Sequence, residues 1–425
     1  MESDTKTTLL HQWHIEQGAN MAQFGGYDMP LWYPTGAKSE HLSVLTGAGL
    51  FDTSHMAAVM VAGPDALNLL QHCISKDLGA CVGKQLLPLR PGKSVYGVFL
   101  NDTGEVIDDA IVFQIGQTLY MVVVNAGMGA AISAHLLAHA ESKSVDITDM
   151  TDKLGKLDVQ GPQSARIMSK ILKDPEAVFA ALPYFSFKGH FNASAPTADA
   201  VQLTDGTPLL LSRTGYTGEF GFEIFVEPDR FIQTWNAVLE AGREFDLTAC
   251  GLAARDSLRA GAVLPLSHQD IGPWPFIHNP WPFALPYNAD QTGFTKEFIG
   301  GRALLETAYQ KYTLPFAGYD LRKVSTHDPA EVSDADDKPI GTVLTCATDM
   351  AIGRHENRIY SIGSPDKPEN FQPRGLCCGF VNTSGRLVPG QTIFLKDKRR
   401  KIKVEIVDDI RPNRTARLAL SKFLL

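Results

Sequence analysis

An α+β fold that ends in a small β-barrel is what this 425-residue sequence predicts. Three patterns predict it. Between Val59 and Thr148 the signals run strand, helix, several strands, helix, strand, the order of a ferredoxin-like α+β unit. From Lys156 a second mixed run begins. After about Tyr312 only short strands remain, separated by Gly and Pro turns, as in a small barrel. The length exceeds one ordinary core. We therefore expect two interleaved α+β domains in residues 1–310, with the ferredoxin-like unit at about 57–150, and a barrel in residues 311–425.

Each element has a local reason. Val59 to Ala62 is a short apolar strand, and Gly63-Pro64-Asp65 opens a helix to Cys73 because Pro suits a first helical turn. Ser94 to Leu100 and Val106 to Ile115 flank the turn signal Asn101-Asp102-Thr103-Gly104 and read as a hairpin. Leu119 to Val124 follows as a strand, Gly129 to Ala140 as a helix and Val145 to Thr148 as a strand. The second run holds a strand from Lys156, a helix opened by Pro162, and strands at Val201 to Leu203 and Leu209 to Arg213. Helices at Pro228 to Phe245 and Leu252 to Ala262 complete it. Between Gly272 and Asn288 stand five prolines and five aromatics, too much Pro for helix or central strand. That segment is either a connector pinned by rings or part of a ligand wall. The barrel strands are Gly341 to Leu344, Gly375 to Val381, Gln391 to Leu395 and Lys401 to Val407, with His355 to Asn370 as an inserted loop.

Composition excludes several classes. The chain is 44% hydrophobic and 20% charged, with a net charge of −8, which argues against nucleic acid as a partner. No apolar run reaches membrane-spanning length, and a polar start without a signal-type segment implies a cytoplasmic location. The six cysteines lack any Cys-x-x-Cys spacing and the histidines lack zinc spacing, so no metal is expected. Cys377 and Cys378 are adjacent strand residues on opposite faces.

The chemistry-bearing residues fall in a few places. Arg213 to Val226 sets Gly215, Gly218 and Gly221 in a loop that runs into an alternating strand. Phe220, Phe222, Ile224 and Val226 share one face, while Glu223 lies with Gly221 and Phe225, leaving room beside its carboxylate. A plain hairpin with a solvent-facing Glu is the other reading. Asp108 and Asp109 are strand neighbours whose side chains leave by opposite, equally apolar faces. They are expected not to form a dyad, and at least one to be partly buried. Asn125 either offers an amide edge to a ligand or caps the helix after it. Arg255 and Arg259 share a helix face, as a cationic fork or as surface arginines bridging to acids such as Asp256. Lys396 to Lys403 holds six basic residues, by default a solvated edge strand.

These motifs fall in a recognisable series. Gly25-Gly26-Tyr27-Asp28-Met29-Pro30-Leu31-Trp32-Tyr33, then Gly47-Ala48-Gly49-Leu50-Phe51-Asp52-Thr53-Ser54-His55-Met56, open it. Ile107-Asp108-Asp109, Val124-Asn125-Ala126, Val159-Gln160-Gly161-Pro162, the glycine loop and Gly251-Leu252-Ala253-Ala254-Arg255-Asp256-Ser257-Leu258-Arg259 continue it. Over roughly the first 300 residues the chain resembles the glycine cleavage T protein family, the tetrahydrofolate-dependent aminomethyltransferases. The resemblance implies a three-domain T-protein-like architecture with tetrahydrofolate as cofactor. It makes Asp109 the catalytic carboxylate near the pterin, with Asp108 structural. Asn125 and Glu223 match folate-contacting positions, Glu223 taking the pterin 2-amino and N3-H edge. Met56 and Tyr216 match residues near the site, Arg255 a binding position, and Arg399 and Arg400 an arginine reaching the folate tail. The partners implied are a one-carbon donor and, in the glycine cleavage version, the lipoyl-carrying H protein.

The sequence departs from the family after Arg259. Gly261 stands where the family has Glu, and Ser267-His268 where it has Tyr-Gly. A Glu-to-Gly change is expected to open the donor wall. That leaves a second enzymatic reading, a folate-dependent demethylase of a small methylated compound. A third, a non-catalytic folate-binding protein of the iron-sulfur-associated branch, lacks that branch's reactive Cys in Arg213-Thr214-Gly215-Tyr216-Thr217-Gly218-Glu219.

Overall fold

The computed structural model describes residues 5–141, 143–192, 195, 200–326 and 330–424. The first mixed run forms a five-stranded antiparallel sheet in the order Lys93–Leu100, Val106–Gly116, Leu119–Val124, Ala57–Ala62, Asp146–Asp149. Helices Ala66–Cys73 and Gly129–Ala138 connect its strands. This is the ferredoxin-like plan with one more strand in the meander, and the extra strand makes every pairing antiparallel. The helix-side core holds Val59, Leu69, Val112, Val122 and Leu136.

The second run completes a six-stranded sheet with the N-terminal segment. Its order is Phe187–Gly189, Leu210–Ser212, Gly221–Val226, Gly155–Gln160, Ala48–Asp52, Leu247–Ala249. Residues from both ends of the first 250 therefore share one sheet. Alternation along Gly221–Val226 is as the sequence pattern requires: Phe220, Phe222, Ile224 and Val226 enter one core, and Phe225 enters another. That second core lies between the two sheets. There Phe113 meets Phe187 and Phe225 edge-on at 5.3 and 5.7 Å, each pair adding about 0.5–1.5 kcal/mol beyond area burial.

The closed barrel runs Tyr312–Gly318, Leu376–Thr383, Pro339–Asp349, Glu331–Ser333, Thr392–Lys396, Lys401–Ile406. Lys401–Ile406 pairs on both sides, so the basic run does not lie on a free edge as expected. Cys377 enters the barrel core and Cys378 the opposite face, and both are free thiols. Two further expectations need correction, while the aromatic connector follows the first of its two readings. Val201 to Leu203 makes only isolated bridges, one of them to Pro208, which cannot donate to a ladder. Within His355 to Asn370, Arg358–Ser361 pairs with Ile352–His355 as a hairpin. The aromatic connector is mostly a clamp. Trp281 is fully buried, donates from Nε1 to Val263 O (2.8 Å) and meets Phe380, while Phe276 and Leu285 fill the same cluster.

Candidate active site

The strand Val106–Gly116 carries a bulge at its start. Leu100 pairs with Val106 and Phe99 with Asp108, so Ile107 is the extra residue. A bulge sharpens local twist and re-aims side chains. The next two residues, Asp108 and Asp109, then come within reach of one amide. Asn125, just past the neighbouring strand, donates from Nδ2 to Asp108 Oδ1 (2.8 Å) and to Asp109 Oδ1 (2.6 Å). Its backbone N–H reaches Asp108 Oδ2 (2.9 Å). The expectation that opposite faces keep the carboxylates apart is therefore wrong. The amide supplies two N–H groups and satisfies both. Nor does Asn125 cap the following helix, whose cap position is Met128 with no side-chain bond.

Asp108 is fully buried and takes a third hydrogen bond from Ser267 Oγ (2.7 Å). Asp109 is half-buried and accepts from the Tyr96 hydroxyl (2.9 Å). Burial, then repulsion from Asp108, pushes the Asp109 carboxyl up to about 7. The pair behaves as one titrating unit, poised to hold or release a proton near neutral pH. Burial, and then the Asp109 charge, raise the Tyr96 phenol well above its ordinary range. Burial raises the Tyr216 phenol too, with Asp109 adding to it, so both stay neutral.

A second cluster surrounds Glu223. In the sheet register Glu223 stands directly opposite Asp158, a like-charge pairing that needs compensation. Lys156 supplies it, reaching Asp158 Oδ1 at 2.7 Å and Glu223 Oε1 at 2.6 Å with its side chain 3% exposed. Arg255 Nη1 pairs with Asp158 Oδ2 at 2.8 Å. Thr214 donates to the other Glu223 oxygen and Thr53 to Asp158. Burial opposes ionisation of Asp158, but Lys156 and Arg255 outweigh it and hold the carboxyl low. Two cations and two anions thus form a neutral buried tetrad.

Tyr216 joins the clusters. Its ring lies 5.0 Å from the Arg255 guanidinium, its hydroxyl donates to Pro265 O, and its phenol senses the Asp109 charge. Met56 packs half-buried against the core between the sheets. Nearby His55 is buried with Nδ1 unpartnered, and burial lowers its pKa to about 4, so the ring is neutral at pH 7.

Several predicted features land elsewhere. The room expected beside Glu223 is taken: a Cβ at Gly221 would lie 2.6 Å from Gln160 Cδ, and one at Gly215 2.2 Å from Gln160 Oε1. These two glycines admit Gln160, and only Gly218 in the loop has a positive φ (77°). Arg259 is no surface residue. It is fully buried, pairing with Asp256 and Asp270 and donating to Thr345 of the barrel. Arg399 and Arg400 lie exposed in a hairpin turn, their N–H groups on Asp397 Oδ1 (both 2.8 Å), and no contact among the described residues ties them to the tetrad. Gly261 opens nothing. A Cβ there would strike Asp349 Oδ2 at 1.9 Å, and that carboxylate is held by Arg411 (2.6 Å) and His41 (3.0 Å). The space at position 261 is thus filled by a carboxylate from the barrel.

Sequence reasoning missed Tyr96, Lys156, Asp158, Asp349 and Arg411. Lys156 and Asp158 did carry a signal: opposite charges two apart in a short strand share one face, which here is buried. A cavity of about 310 Å³ lined by Met60, Leu119, Met150 and His190 lies toward the other end of the sheet from Asn125 and belongs to neither cluster.

The family model for the GCVT N-terminal domain matches residues 10–274. An aminomethyltransferase of Streptomyces coelicolor is 33% identical over 318 residues, 74% of this chain and 77% of that protein. One from Caldanaerobacter subterraneus subsp. tengcongensis is 32% identical over 344 residues, 80% of this chain and 83% of that one. The crystal structure of glycine cleavage system aminomethyltransferase T from Bartonella henselae aligns with a TM-score of 0.73 at 27% identity, covering 95% of this chain and 97% of that one. With its family-model match, its relatives and its three-part fold in agreement, the chain belongs to the GCVT aminomethyltransferase family.

Proposed function

We propose that this protein is a tetrahydrofolate-dependent aminomethyltransferase of the glycine cleavage T-protein type, taking a one-carbon unit from a donor at the Asp109 site. The observation that carries this reading is the Asp108–Asn125–Asp109 cluster, with Asp109 pushed up to about 7 beside two neutral tyrosines. The donor set fits a flat, edge-polar ligand. The Asn125 amide oxygen takes no hydrogen bond among the described residues, Asp109 keeps acceptor capacity, and each Glu223 oxygen uses one of its two acceptor sites. Tetrahydrofolate, when bound, supplies the nitrogens that receive the one-carbon unit. Asp109, as the anion, stabilises positive charge developing beside it. Asn125 fixes both carboxylates in place, and Tyr96 steadies Asp109 from the other oxygen. Glu223 and Arg255 act from within the tetrad, so their share is orientation more than free charge. Met56 and Tyr216 would line the ligand, and Arg399 and Arg400 would meet a folate tail only from the barrel hairpin. Folate and a one-carbon donor are the partners, with lipoyl-carrying H protein as the donor's carrier. The test is turnover with tetrahydrofolate and aminomethylated H protein, set beside free methylated compounds, with the folate product identified. Release of ammonia with methylenetetrahydrofolate supports the reading; turnover of the free compounds alone overturns it.

A further inference from the structure

The segment Pro265 to Ile271 places two groups on the carboxylate pair that the reading above leaves without a role. Ser267 Oγ donates to Asp108 Oδ1, and His268 Nε2 stands 3.7 Å from the same oxygen. The His268 side chain is 49% exposed while that of Asp108 is 0% exposed, so the ring spans the distance from water to a buried carboxylate. Its backbone sits at φ 62°, a left-handed conformation that strains an L-residue. The turn holding it is fixed by other means. Gln269 and Asp270 N–H groups reach Leu266 O (3.2 and 2.8 Å), and the Asp270 carboxylate is pinned by Arg259 and by Leu266 N–H (3.0 Å). Glycine would adopt this backbone without strain. A strained histidine whose ion-pair partner among the described residues is Asp108 therefore points to a use.

We propose that His268 is the solvent-side positioning residue that sets the charge of the Asp108–Asp109 pair and passes its protons to and from water. This rests on Asp109 being the working carboxylate. The groups facing the pair are Tyr96, Tyr216, Asn125, Ser267 and His268, with Arg259 and Asp270 paired to each other behind Tyr216. Both phenols are held neutral and the amide and hydroxyl do not titrate. Among them only the imidazole can accept a proton at one ring nitrogen and release one from the other. The 3.7 Å separation exceeds a direct hydrogen bond and is closed by ring rotation or by one water. In the transfer, a proton leaves a carboxyl oxygen for Nε2, and the ring then releases one proton to water, so charge and atoms balance. When it carries a proton, the ring beside Asp108 favours the doubly ionised pair.

The test follows the pair itself, with no ligand present. Carboxyl resonances of enzyme carrying ¹³C-labelled aspartate are titrated by NMR, with the Asp109 signal assigned by its loss in Asp109→Asn. In His268→Gly and His268→Asn the upper titration of the pair should rise by about half a unit or more. The acid limb of turnover should rise with it, while His268→Gly melts no lower than the parent because glycine accepts this φ. Superimposable titrations in the parent and both variants would overturn the proposal, as would collapse of the His268→Gly fold. A shifted titration in a protein that transfers no one-carbon unit would support the proton role and count against the proposed function instead.

Discussion

Asp109 draws its chemistry from its surroundings rather than from its residue type. A carboxyl near 7 in a site at neutral pH is half-charged, and full ionisation requires help from what binds beside it. Asp109→Asn should cut turnover by about 10²–10³-fold, since it deletes charge stabilisation of the transition state, and change folate Kd only a few-fold. Steady-state kinetics and equilibrium binding check this; inactivation by Asp108→Asn with Asp109→Asn fully active would reverse the roles. A stability signature follows from the same shift. The folded pKa lies above the unfolded carboxyl value, so folding takes up a proton, and the cost of keeping Asp109 ionised grows as pH rises toward 7. Asp109→Asn should therefore melt higher than the parent, with a larger gap at pH 8 than at pH 5, in paired thermal denaturation. Equal gaps at both pH values would contradict the shift. Of this cluster, Asp108 and Asp109 stood out in the sequence as carboxylates in a doubly covered strand, and Asn125 as an amide just past the next one, while their assigned roles came from the family resemblance. Their convergence was not legible, because it depends on a bulge at Ile107 that strict alternation does not reveal.

At the scale of elements, the pairing of Gly155–Gln160 with Gly221–Val226 sets two carboxylates face to face and relies on one ammonium to join them. Lys156→Met should destabilise by about 3–5 kcal/mol in urea titration, because it strands buried Asp158 and Glu223 together. Adding Glu223→Gln to that variant should recover part of the loss, and a purely additive double variant would show that Lys156 does not bridge the pair. The alternation of Phe220 to Val226 was readable from sequence since a period of two needs no tertiary information. The partner of Glu223 was hidden, since strand register decides which residue stands opposite. Gly261 gives the same lesson from a helix: its missing side chain looked like an opening, yet Asp349 arrives from nearly ninety residues away to fill it. Gly261→Glu should accordingly destabilise the fold by about 1–3 kcal/mol rather than restore a family contact, measurable as a lower melting temperature.

Across the whole molecule, the barrel is tied to the glycine loop and to the N-terminal region by buried charge. Arg411 holds Asp349 and Glu219 and donates to Thr217 O, while His41 takes the other Asp349 oxygen. The chain after the barrel then returns to the glycine loop, where Ala416 N–H meets Gly218 O (3.1 Å) and Phe423 stacks on Phe220 at 3.9 Å. Burial opposes ionisation of Asp349, but Arg411 and His41 outweigh it and hold the carboxyl below its ordinary range. That stabilisation is present above the unfolded carboxyl value near 4 and fades as pH falls below it. Arg411→Ala should cost about 3–5 kcal/mol and lose much of the parent's stability difference between pH 6 and pH 3. The barrel itself was legible from its short strands and turns, whereas this seam was not, because a lone Arg past the last strand and a lone Asp at the end of a distant one carry no mutual signal. Whether the Asp109 cluster carries out folate-dependent one-carbon transfer is decided by single-turnover assay of parent and Asp109→Asn with tetrahydrofolate and aminomethylated H protein. The parent should form methylenetetrahydrofolate, and the variant should transfer at least about 10²-fold more slowly with folate still bound. Equal transfer by both proteins, or none by a parent that binds folate, would contradict it.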